Sequence, residues 1–120
     1  MTAQITKLAA QDEARHVAFG LSHLKRHAEE DPTLRARLAQ AVRDRHAALS
    51  DTAGLNQSVF DALVLIAAGS WDPQAIAGGF DRVAELQRQM DEGRRQRLLR
   101  LGFSAEQAAD LSGLHTRNFM

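Results

Sequence analysis

Only two prolines interrupt this chain, and each directly follows an aspartate: Asp31-Pro32 and Asp72-Pro73. Proline lacks a backbone donor and clashes with the turn before it, so no regular helix runs through either position. At the first turn of a new helix it fits, and an aspartate just before it is a good cap. Each pair therefore ends one helix and begins the next. Elsewhere alanine, leucine, arginine and glutamine dominate, tyrosine is absent and β-branched residues do not alternate. These are strong helix formers, and the fold class expected is all-α.

Periodicity divides the chain into five helices. The first spans about Ala3 to Glu29, with Ala10, Ala14, Val17, Leu21, Leu24 and Ala28 on one face. The second spans about Pro32 to Thr52 behind Asp31, with Leu34, Leu38, Val42 and Leu49 as a narrower stripe and Gly54 as its stop. The third, about Asn56 to Ala68, is apolar nearly all round and should be buried on most sides. The fourth starts at Pro73 with Asp72 as cap and closes at Gly102. Ser104 to Gln107 reads as a capping box for a short fifth helix ending near Leu111. Residues 1–120 are read as a single helical unit, a first helix over 1–30 followed by C-terminal helices over 31–120.

Fifteen basic side chains balance fifteen acidic ones. A net charge of zero argues against a surface dedicated to nucleic acid or an anionic membrane. The absence of cysteine excludes disulfides and thiolate metal sites. Met1 to Lys7 lacks the pattern of a signal peptide, and the longest apolar stretch, Ala62 to Ala68, is far too short for a membrane span. A soluble, cytoplasmic protein is expected.

The chemistry-bearing stretch is Asp12-Glu13-Ala14-Arg15-His16-Val17-Ala18-Phe19-Gly20. Glu13 and His16 stand three apart on a helix and project from nearly the same side. A carboxylate and an imidazole held this way can ligate one metal, and the pair suits iron or manganese better than thiolate-seeking metals. Di-metal carboxylate bundles use this Glu-x-x-His spacing on two of their four helices.

This stretch, with its small-apolar continuation, resembles the last metal-binding helix of ferritin-like di-iron carboxylate proteins, the ribonucleotide reductase small-subunit-like oxidases and oxygenases. Ala62-Leu63-Val64, Arg100-Leu101-Gly102-Phe103 and the closing Leu114 to Met120 resemble the C-terminal part of ferritin-like-domain proteins. The resemblance implies a partial ferritin-like bundle with Glu13 and His16 as metal ligands. Asp12 would orient a partner helix's histidine from behind, and Gly20 would leave room for close helix approach. Complete relatives would bind two irons and activate oxygen.

The departure from that pattern is a matter of counting. Only eleven residues precede Asp12, and no second Glu-x-x-His occurs. One chain therefore supplies half a site, with no catalytic residue of its own assigned, and a complementing helical half or a homo-oligomer is the partner expected. The rival reading is a non-enzymatic helical interaction module. A homodimeric metal binder is the third.

Other residues carry plainer readings. His23 and His27 have the i, i+4 spacing of a metal clamp, though solvated imidazoles are the simpler account. Asp61 is tolerated near a helix start. Arg94, Arg95, Arg97 and Arg100 read as a solvated face, Trp71 as a core or hinge plug, and His115 as lacking a catalytic partner.

Overall fold

The computed structural model describes residues 2–50 and 57–117, and these form five α-helices with no strand among them. They are α1 (Thr2–Glu30), α2 (Leu34–Ser50), α3 (Gln57–Ala68), α4 (Pro73–Arg100) and α5 (Ala105–Arg117). Asn56, Thr52 and Gly54 lie outside the described residues. No described helix is long and apolar enough to cross a membrane.

The caps follow the chemistry of the sequence. Asp31 Oδ1 accepts from the Thr33 backbone N–H at 2.8 Å, and its carbonyl accepts from Leu34 N–H at 3.1 Å. Asp72 Oδ1 accepts from the N–H groups of Gln74 and Ala75 at 3.0 and 3.1 Å, with Pro73 in the first turn behind it. The capping box is reciprocal. Gln107 N–H donates to Ser104 Oγ at 3.1 Å, and Ser104 N–H donates to Gln107 Oε1 at 3.0 Å. Gly69 and Gly102 end their helices with φ of 71° and 90°, a region costly for any residue with a Cβ.

Neighbouring helices run α1, α2, α5, α4, α3 across the molecule. α3 and α4 form a close hairpin. A Cβ on Gly79 would meet the Val64 carbonyl oxygen and lie 2.9 Å from Ala68 N, so only glycine permits this crossing. Val64 and Val83 are buried beside it, and Phe60 meets Phe80 edge to face at 5.5 Å. α5 folds back on α4 and α2 around Leu101, Phe103 and Leu111, with Leu21, Leu38 and Val42 packed against them. Ser112 is fully buried. Its hydroxyl donates to Asp91 Oδ1 at 2.6 Å and accepts from Arg94 Nε at 3.4 Å. Arg95 Nε pairs with the same carboxylate group at 2.7 Å. Arg43 Nη2 bridges α2 to α5 through Asp110 Oδ2 at 2.9 Å.

Four expectations change. α5 continues past Leu111 to Arg117, because Ala108, Leu111 and Leu114 extend an apolar face that packs on α4. α3 is not enclosed: Val64 is buried, while Ile66 is 77% exposed, since α4 covers one side only. Trp71 plugs nothing and is 81% exposed. Arg94 and Arg95 are tied to Asp91 and Ser112, while Arg97 and Arg100 stay on the exposed face.

The α3–α4 crossing gives a paired test. Gly79→Ala should lower stability by about 1–3 kcal/mol through overpacking. Gly78→Ala, whose Cβ would meet nothing within 4 Å, should raise it by about 0.5–1 kcal/mol. Urea denaturation of both variants checks the sign of each change.

Candidate metal half-site and apolar groove

α1 is continuous from Thr2 to Glu30, about 44 Å at 1.5 Å per residue. Every residue from Thr2 to Phe19 is exposed, and burial begins at Gly20 and Leu21. Ala28, 3% exposed, closes the packed end against the turn into α2. The motif from Asp12 to His16 therefore sits on the uncovered part of the helix.

Glu13 lies about 40° and His16 about 100° round the helix from Val17, at about 100° per residue. The structure brings the two together: His16 Nδ1 is 4.0 Å from Glu13 Oε2. Asp12 joins them from the other side, with Oδ2 3.8 Å from His16 Nε2, and Arg15 Nη1 lies 3.9 Å from Asp12 Oδ1. These separations exceed hydrogen-bonding range, and all four side chains are well exposed, so the pairs add little to stability. Among the described residues no three histidine, cysteine, aspartate or glutamate side chains are placed to hold a metal ion. Glu13 and His16 have the donor chemistry for iron or manganese, but two donors leave most of a coordination shell open.

Where α1 does pack, it forms one wall of a groove of about 360 Å³. Val17, Leu21 and Leu24 face Leu98, Leu101 and Leu111 across it. Arg94 and Arg97 supply its cationic side, with the His115 imidazole beside them. A neighbouring hollow of about 270 Å³ shares Leu24, Val42 and His115. Val17 is 49% exposed and Leu24 36%, so the wall itself is partly wet. Sequence reasoning set His115 aside. The signal it lacked was the continuation of α5, whose Leu111-to-His115 spacing of four places both residues on the groove.

Burial holds the His115 imidazole below its ordinary pKa of 6.5, and Arg94, Arg45 and His46 push it the same way. The folded chain therefore binds this proton less readily than the unfolded chain. Stability contributed by neutral His115 is present above about pH 6.5 and declines as the pH falls through that value. Relative to His115→Gln, the wild-type chain should lose stability between neutral pH and pH 5, read from denaturation midpoints at each pH. A difference between the two that does not change with pH would contradict this assignment.

Comparison with family models, with curated proteins and with solved structures finds no match to this chain.

Proposed function

We propose that this chain contributes one half of a ferritin-like di-metal carboxylate centre, with Glu13 and His16 as ligands. The centre would be closed by helices from a complementing polypeptide or a second copy. The observation that supports this reading is a coincidence of place. The two metal-type donors converge on a stretch of α1 that no other described residue covers. A helix contributing ligands to a bundle must present them to its neighbours, and here the neighbours' side is vacant.

The shape of the molecule supports association. Its radius of gyration is 17.1 Å, against about 14 Å for a compact domain of this length. Its accessible surface is 8544 Å², against about 6,400 Å² for a folded monomer of this mass. Ile5, Leu8 and Phe19 are 60–75% exposed on α1. A stretch of some eighteen residues without tertiary support is only marginally stable as a helix in water.

Metals enter this reading as donors' preference alone: a carboxylate and an imidazole on one rigid helix favour iron or manganese, which would supply oxygen chemistry when bound. The chain's own task is to present Glu13 and His16 at helical spacing on one side of α1. Asp12 would orient a histidine of the partner helix.

Iron per chain should be measured separately on monomeric and associated fractions after anaerobic loading with Fe²⁺. The monomer should hold no stoichiometric iron. The associated form should retain it and lose it on Glu13→Ala or His16→Ala. Associated chains that hold no more iron than the Glu13→Ala control would instead identify a non-enzymatic interaction module.

A further inference from the structure

A second pair of donors, His23 and His27, lies further along α1 and away from the half-site. We propose that His23 and His27 form an open binding site for a borderline divalent cation such as Zn²⁺. The two Nε2 atoms share a hydrogen bond at 3.1 Å, with the ring planes 80° to one another, and a bound cation would take the place of the shared proton. Imidazole nitrogens bound to zinc lie at about 2.0–2.1 Å from the metal. Two such nitrogens are about 2.9 Å apart at a right-angled metal and about 3.4 Å apart at a tetrahedral one, by the same bond length. The observed separation falls between these limits, so a cation fits between the rings with little side-chain movement.

The groups behind the rings are arranged to support ligation. His27 Nδ1 is 3.5 Å from Glu30 Oε2. That carboxylate would favour the tautomer with the proton on Nδ1, in which Nε2 keeps the lone pair that a metal requires. This is the carboxylate–histidine–metal arrangement that fixes the tautomer and raises ligand basicity. Phe19 lies nearly parallel to His23, with planes 10° apart and centroids at 6.3 Å.

The all-nitrogen donor set selects among cations. Imidazole suits zinc, copper and nickel, whereas magnesium and calcium seek oxygen. Both histidines are exposed, so the cation enters directly and water completes its coordination. The site is distinct from the Glu13–His16 pair, because seven residues place His23 about 10 Å beyond His16 along the axis.

The test uses the full chain, without an added histidine tag, in a Glu13→Ala/His16→Ala background that removes the half-site. Titration with Zn²⁺ by calorimetry should give one cation per chain. His23→Ala or His27→Ala should each abolish saturable binding, and Glu30→Gln should weaken it about tenfold or more. Alanine favours helix at these exposed positions, and circular dichroism confirms that the variants stay folded. One equivalent of Zn²⁺ still held by the His23→Ala/His27→Ala double variant would overturn the proposal. So would the absence of binding in the parent background. Neither result bears on the half-site, whose ligands are removed throughout.

Discussion

Leu111 and Ser112, both at the limit of burial, join two helical hairpins that otherwise have little hold on each other. On one side stand α1 and α2, on the other α3 and α4. α5 lies between, with Leu111 packed among Leu101, Phe103 and Leu38 and with Ser112 bonded into α4. The burial is apolar and non-directional, while the serine fixes register. A buried hydroxyl opposite a carboxylate must find it, since an unmatched partner costs about 1–3 kcal/mol. The position of α1, and so of its motif, depends on this joint through Leu21.

The joint is small relative to what it carries. α1 is anchored over about its last third, and the remainder projects with apolar and acidic residues alike in water. α3 and Trp71 leave a second apolar surface open at the far side. A chain that exposes this much has not exhausted its own packing capacity. The exposed faces coincide with the segments that the sequence marks as apolar or metal-type, so the openness is patterned rather than general.

Local rules were legible in the sequence. Asp31, Asp72, Ser104 and Gln107 cap as their identities require, and α1 runs unbroken through Asp12 to Leu24. What the sequence left open was pairing. An all-round apolar α3 implies neighbours on several sides, but whether they belong to this chain is not a property of α3, and Ile66 is exposed as a result. The length of α5 was missed for a related reason. Ser112 and Gly113 are poor helix formers, and the Asp91 and Arg94 contacts that hold Ser112 in a helix come from residues about twenty positions away. For the half-site, spacing sufficed to bring Glu13 to His16, because one helix holds both.

The bridge from Arg43 to Asp110 spans 67 residues, whereas each hairpin closes over short turns. Closing the chain over that separation costs more entropy than closing either hairpin. The link from α2 to α5 is therefore the one that local chain closure helps least. Because Leu111 of α5 also stands opposite Val17, Leu21 and Leu24, loosening that link would uncover the packed end of α1 as well.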